Sequence, residues 1–446
     1  MIDNKEITLL EQMLQYAQKS GAQKAKMTLS KSNEDLVATL NGEVDKVTHC
    51  EDRSLSLALY VDGKFGSFST NKLEEESLKN FIDKAIAVVK MIEEDQCRDL
   101  TEPERQCKDA ITGNELGLVD PYREEITPEQ RITLALEASI FKECAADAQS
   151  YELISEEGEY SDSIYDTIVL DTNGLRCRHS ECSFDYGVEV TIEHEGQKYS
   201  SYWWDSSSKH EELRSRDCGL KALGKAVSNI GSEPAPSGKY NLVLDSEVAA
   251  KVVSPIIRAL NGYSLQQNNS FLMDSLGKKV FPDGMTLLDV PRIPGQTCSK
   301  YFDSEGVATK DAAIIEQGEV KQYFVNGYIS RKLGIAPTIE DATRPKIMPW
   351  PKAGLKVEDL MRMCGSGIYV TAFNGGNSNS ATGDFSYGVE GFLFEDGQIV
   401  RPVSEMLMTG NFITLWGDLI AAGDDARTCL SKLIPTLAFS NVDFSG

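Results

Sequence analysis

A chain of 446 residues with 41% hydrophobic and 26% charged side chains has the apolar content of a folded protein, which excludes disorder, and is too long for one ordinary core, so two domains are expected. A formal charge of −24 disfavours direct contact with nucleic acid, which draws on Lys and Arg to displace counterions, and suits a basic partner or substrate as well as simple solubility. No run approaches the ~20 apolar residues of a membrane-spanning helix, and the acidic start Met1-Ile2-Asp3-Asn4-Lys5-Glu6 lacks the basic and then apolar segments of a secretory signal, so a cytoplasmic protein is expected.

Leu9, Leu10, Met13, Leu14 and Ala17 fall on one helical face and predict an amphipathic helix from about Glu6 to Lys19, stopped at Gly21. Leu36 to Leu40 and Val44 to Thr48 flank Asn41-Gly42, and Leu55 to Val61 and Phe65 to Ser69 flank Asp62-Gly63. Both dipeptides accept the positive φ of tight turns, so two hairpins are predicted. A second helix, roughly Leu73 to Ile92, places Leu78, Phe81, Ile82, Ala85 and Val89 toward a core. The order then recurs. Thr127-Pro128-Glu129-Gln130 offers an N-cap, a first-turn proline and a capping-box partner for a helix to about Ala146. Strands at Ile164 to Leu170 and Leu175 to Ser180 flank Asn173-Gly174, those at Phe184 to Glu193 and Lys198 to Trp203 flank Glu195-Gly196, and a helix runs from about His210 to Val227. Such recurrence reads as two copies of a helix, paired hairpins and a helix.

Gly231-Ser232-Glu233-Pro234-Ala235-Pro236-Ser237-Gly238 suits neither helix nor central strand and marks a linker. Beyond it, Tyr240 to Leu244 reads as a strand, Glu247 to Leu260 as a helix, and the remainder mostly as short strands between Gly and Asp turns. The expected fold is α+β, with duplicated helix and hairpin units over residues 1–234 and a mostly β, barrel-like domain over residues 235–446.

Chemical signals are sparse. The ten cysteines stand singly, without Cys-x-x-Cys, and read as reduced thiols; Cys177, His179 and Cys182 come nearest to a zinc cluster, with ordinary buried thiols as the favoured reading. Gly365-Ser366-Gly367 lacks the spacing of a serine-hydrolase elbow, and no phosphate loop occurs. Trp203-Trp204, near Tyr199 and Tyr202, reads equally as a binding platform or as core, since successive strand residues face opposite sides. Thr382, Gly383, Asp384, Ser386, Gly388, Glu390 and Gly391 are candidate cleft or partner-contact residues. Asp384 and Glu390 would suit an acid/base pair, although strand packing is the stronger reading, and Gly388 and Gly391 would let a peptide lie alongside as an added strand.

The run Asn379-Ser380-Ala381-Thr382-Gly383-Asp384-Phe385-Ser386-Tyr387-Gly388-Val389-Glu390-Gly391-Phe392 resembles a hallmark of the TldD/PmbA family, also called modulators of DNA gyrase. Phe271 to Lys278, Phe302 to Val307, Asn326 to Gly334, and Arg401-Pro402-Val403 with Met408-Thr409-Gly410-Asn411 look like segments of its PmbA/TldE branch in the same order, and Asn41 to Val44 and Asp62 to Ser67 also suit it. The resemblance implies a subunit of a cytoplasmic TldD/TldE-type metalloprotease complex that degrades unfolded peptides, with zinc in a TldD-like partner. In that partner, His-Glu-x-x-x-His on a helix and a later cysteine hold the metal.

This chain departs from that pattern. Its four histidines stand at 49, 179, 194 and 210, and neither His194-Glu195 nor His210-Glu211 has a second histidine in place, Tyr199 and Ser215 standing there. An approximate alignment sets Ser254-Pro255 against His-Glu and Ala259 against the second histidine, while Cys429, near the ligand cysteine's place, reads as structural. No catalytic, cofactor-binding or metal residue is therefore expected in this chain. A regulatory protein acting on DNA gyrase or a toxin–antitoxin system, and a peptidase using Asp, Glu or Cys chemistry, are the alternatives, and a homodimer is an option in isolation.

Overall fold

The computed structural model describes residues 1–144 and 150–446, which form two compact units. One comprises residues 1–223 with 292–309 and 326–339, the other residues 224–291, 310–325 and 340–446. Two segments beyond the linker thus belong to the first unit, and a cut at 234/235 stands as a proposal about the sequence.

In the first unit, helix α1 (Asn4–Lys19) opens on a capping box: the Asp3 carboxylate accepts from the Glu6 N–H at 2.8 Å and Glu6 accepts from the Asp3 N–H at 3.0 Å. It buries Ile7, Leu10, Met13, Leu14 and Ala17. Strands β1 (Lys24–Leu40), β2 (Glu43–Val61) and β3 (Lys64–Thr70) form an antiparallel meander, followed by α2 (Glu75–Val89). After the short helix α3 (Tyr122–Glu125), the order repeats: α4 (Pro128–Ala138), α5 (Phe141–Cys144), β4 (Glu152–Asp171), β5 (Arg176–His194), β6 (Gln197–Ser207) and α6 (Ser215–Ser228). The six strands form one sheet in the order β3-β2-β1-β4-β5-β6, with the first strands of the two meanders paired at its centre.

The paired hairpins predicted in each copy are therefore three-stranded meanders in which two hairpins share a strand. Residues 44–48 and 55–61 belong to one continuous β2, and 175–180 and 184–193 to β5 apart from Leu175. Most of β2 before Ser54 is exposed on both faces, so it lacks the apolar alternation by which a strand is recognised. The turns themselves lie where expected, with positive φ at Asn41-Gly42, Asp62-Gly63 and Glu195-Gly196.

The helix starting after Thr127 keeps its capping box but stops at Ala138, short of the expected Ala146, which lies outside the described residues. Ser139 is extended, and the next N–H, of Ile140, donates to both oxygens of buried Glu156 at 3.3 and 3.1 Å. Burial raises the Glu156 pKa, against the pull of bonds from Ser139, Ile140 and Phe141. With the folded pKa raised, this group's stabilisation is full below the unfolded carboxylate range and is lost as pH rises through the folded value. Glu156→Gln, which retains one acceptor oxygen, is expected to raise the melting temperature at neutral pH and to lose that advantage in acid. Melting curves across pH check this, and an equal or reversed difference at neutral pH counts against it.

The second unit begins with β7 (Gly238–Leu244), α7 (Ala250–Ala259), α8 (Gly262–Gln266), β8 (Leu287–Asp289), β9 (Ala312–Glu316) and β10 (Glu319–Val320). Helix α9 (Gly327–Leu333) falls in the first unit. The second resumes with β11 (Pro345–Ile347), α10 (Val357–Cys364), β12 (Gly367–Ser378), β13 (Asp384–Glu395), β14 (Gln398–Asn411), α11 (Phe412–Gly417), β15 (Leu419–Ala422) and β16 (Leu437–Ser445). Strands β14-β13-β12-β7-β16 follow one another, and β16 returns to β14 through pairs such as Met408 with Phe444, closing a five-stranded barrel. A smaller sheet, β10-β9-β8-β11, belongs to the same unit. The α+β class and the barrel-like second half hold as expected.

Candidate functional site

Helix α7 buries Val252, Val253, Ile256, Ile257 and Ala259. Its open side carries half-buried Ser254 and exposed Arg258. Pro255 lies inside the helix, where it has no N–H to donate to the carbonyl of Lys251 four residues back. Ser254, Ile257, Arg258 and Asn261, at the i, i+3, i+4 and i+7 spacing of one helix face, line a cavity of about 450 Å³. Tyr263, Ser264, Gln267, Asn269, Asp341 and Lys432 complete it. A wall so rich in amides, hydroxyls and charges suits a polar chain better than an apolar ligand.

The hallmark run is tied to the same helix. Ser270 Oγ donates to the Ala259 carbonyl at 2.6 Å, and the Phe271 N–H donates to the Ser380 carbonyl at 3.0 Å. Thr382 Oγ1 donates to Asp384 Oδ2 at 2.6 Å, while Asn411 Nδ2 donates to the Thr382 carbonyl and to Asp384 Oδ1, each at 2.9 Å. These bonds from Asn411 and then Thr382 hold the Asp384 carboxyl below its usual pKa. Farther along β13, Tyr387 lies under Lys251 of α7, with Nζ 4.8 Å from the ring centre, and Glu390 accepts from Asn374 Nδ2 at 2.9 Å. Six residues of strand put Asp384 and Glu390 about 20 Å apart, too far for an acid/base pair.

The added strand imagined beside Gly388 and Gly391 has no place there, because β13 is paired with β12 on one side and β14 on the other. The glycines serve the barrel instead. A Cβ on Gly391 would stand 1.9 Å from the Tyr369 carbonyl oxygen, and one on Gly388 would stand 2.2 Å from Asn374 Oδ1. Thr382 and Asp384 are exposed at the turn, Ser386 is half-buried in the ladder, and Gly383 is buried against Phe271.

The donor set does not fit a zinc ion. At the aligned positions Ser254 offers one hydroxyl, Pro255 has no polar side chain, and Ala259 is buried. All four histidines belong to the first unit. His49 Nδ1 lies 2.7 Å from Asp35, His179 Nε2 lies 3.4 Å from Glu181, His194 Nδ1 lies 2.7 Å from the Ser150 carbonyl, and His210 packs on Tyr122 and Phe184. Cys177 and His179 fall on the opposite face of β5 from Cys182, and no group of three or more His, Cys, Asp or Glu able to hold a metal occurs among the described residues. Cys429 lies between Thr428 and Leu430, whose carbonyls accept from buried Arg344 at 2.8 and 3.2 Å. Of the tryptophan pair, Trp203 lies under Lys221 of α6 at 4.8 Å, and neighbouring Tyr202 is 59% exposed.

Sequence reasoning passed over Arg258, Asn261 and Lys432. The i, i+4 pairing of Ser254 with Arg258 on a largely apolar helix was the available signal, whereas Asp341 and Lys432 reach the cavity only through tertiary structure.

Fold and site together define a two-unit α+β protein whose second unit holds a closed barrel and a polar cavity beside helix α7. The sequence matches PmbA/TldA metallopeptidase domain 1 over residues 29–89, the central domain over 121–230 and the C-terminal domain over 237–446, and the chain belongs to this PmbA/TldD family. It is 28% identical to the metalloprotease PmbA of Escherichia coli O157:H7, over 93% of this chain and 91% of that one. A crystal structure from Bacteroides thetaiotaomicron, of a protein provisionally called a modulator of DNA gyrase, is similar over 100% of both chains, with 36% identity and a TM-score of 0.94. TldE of Thermococcus kodakarensis shares the fold at 18% identity, with a TM-score of 0.83 over 98% of this chain and 100% of that one. No helix among the described residues is long and apolar enough to cross a membrane.

Proposed function

We propose that this chain is the subunit of a cytoplasmic TldD/TldE-type metalloprotease complex that does not itself bind metal, and that a TldD-like partner supplies the zinc for degradation of unfolded peptides. The observation that carries this reading is the wall of α7: Ser254, Pro255 and buried Ala259 stand where the zinc-binding branch is expected to carry its ligands. A hydrolytic zinc site takes three protein ligands and keeps one position open, and the described residues gather no such set. In this reading the polar cavity and the exposed Thr382 and Asp384 serve peptide and partner contact, and chemistry occurs in the partner.

The test is to purify the chain alone and with a TldD-like protein, then measure metal content and hydrolysis of an unfolded polypeptide. We expect less than about 0.1 zinc per isolated chain and no turnover, and at least about tenfold more activity from the mixture than from the partner alone. Stoichiometric zinc with chelator-sensitive hydrolysis by the isolated chain overturns the proposal. Recovery of DNA gyrase from native extract in place of a TldD-like protein favours the regulatory alternative, in keeping with the provisional role of the Bacteroides relative.

A further inference from the structure

We propose that residues 43–54 of β2 form a docking edge for an extended, basic polypeptide segment. β2 pairs with β1 from Glu43 to Tyr60, but β3 covers its other side only over Leu55 to Val61. From Glu43 to Ser54 that side has no strand partner among the described residues. A strand edge presents backbone N–H and C=O groups that a second extended chain satisfies with little demand on its sequence.

The second meander offers an internal comparison. Its matching strand, β5, is also uncovered by β6 before Phe184. There the N–H groups of Arg178, Ser180 and Cys182 donate to the carbonyls of Ala110, Gly113 and Leu118 at 2.8, 2.8 and 2.9 Å. A bent loop of the chain itself fills that edge, while among the described residues no strand pairs with the edge of β2 before Leu55.

Side chains along β2 indicate what it would take. Val47 is 55% exposed beside buried Val37 in the ladder, and Val44 is 39% exposed, so a strip of apolar surface borders the edge. Glu43, Asp45, Glu51 and Asp52 outnumber Lys46 and Arg53. This excess of carboxylates opposes pairing with a second copy and favours a segment carrying Lys or Arg. The inference names a substrate class for the peptide-degrading reading and rests on it, although binding can be measured without turnover.

The experiment uses the isolated full chain and a fluorescent ten-residue peptide alternating Thr and Lys, with a Thr–Glu counterpart and a Thr–Lys peptide N-methylated at alternate amides. Anisotropy reports affinity, and hydrogen exchange with mass spectrometry reports the site. Expected results are protection of residues 43–54 by the Thr–Lys peptide, with binding at least about tenfold weaker for the other two peptides. Glu51→Lys with Asp52→Lys, both exposed, should weaken binding at least about fivefold without changing the melting curve. Protection elsewhere, indifference to N-methylation, or concentration-dependent protection of 43–54 without peptide, the mark of a second copy, each overturns the proposal. If zinc or turnover measurements reject the subunit reading, this binding result still stands or falls separately.

Discussion

Gly391→Val is expected to unfold the barrel, with a loss above about 4 kcal/mol and little soluble protein. The new Cβ would meet backbone: the Tyr369 oxygen at 1.9 Å, and the Tyr369 carbonyl carbon and Val370 Cα at 2.9 Å each. β12 cannot retreat, because β7 pairs with its other side and Gly367 already brings the Asn241 carbonyl within 2.1 Å of where a Cβ would stand. Gly388→Ala should be milder, about 1 kcal/mol, because its neighbour is the Asn374 side chain, which can turn away at the loss of its bond to Glu390. Chemical denaturation of both variants measures the contrast. A Gly391→Val protein as stable as the parent contradicts the close approach of β12 and β13.

Asp162→Ala should cost about 3–5 kcal/mol, because it strands two guanidinium groups away from water. Asp162 has no exposed side-chain surface; it accepts hydrogen bonds from Arg131 Nε at 2.7 Å and Arg131 Nη2 at 2.9 Å and is ion-paired with Arg123, whose Nε lies 3.0 Å away. Both arginines also reach Asp35 at 3.1 Å, so one carboxylate remains to share two cations. Asp35→Ala, at a site with 17% of its side chain exposed, should cost less because water can replace part of what is lost. Urea unfolding of the single and double variants gives the coupling between them. Equal, small losses for both would show that the buried cluster contributes little.

Legibility followed local cause. The Asn-Gly and Asp-Gly turns, the Asp3 and Thr127 caps and the apolar face of α1 depend on neighbours within one or two turns of chain, and each lies where local chemistry puts it. The middle of β2 is not legible in the sequence because an exposed stretch carries no burial pattern, and the helix expected to about Ala146 ends at Ala138, where Glu156, distant in sequence, takes the Ile140 N–H. At the candidate site, the supply of histidines was readable directly, as was the absence of ligand types at 254, 255 and 259. The roles of Gly388 and Gly391 were not, since a glycine in a strand reads alike whether it admits a guest chain or a neighbour of its own barrel.

The α+β class, the family and the shortage of zinc-binding side chains are written in the residues alone, because composition, turn chemistry and ordered motifs are properties of the chain before it folds. Folding in three dimensions was needed for β16 to return to β14 and close the barrel, for a polar cavity to open beside α7, and for one strand edge to be filled while its counterpart has no strand partner among the described residues. Those outcomes depend on which distant backbone groups find each other, and pairing across a hundred residues or more leaves little local trace in the sequence.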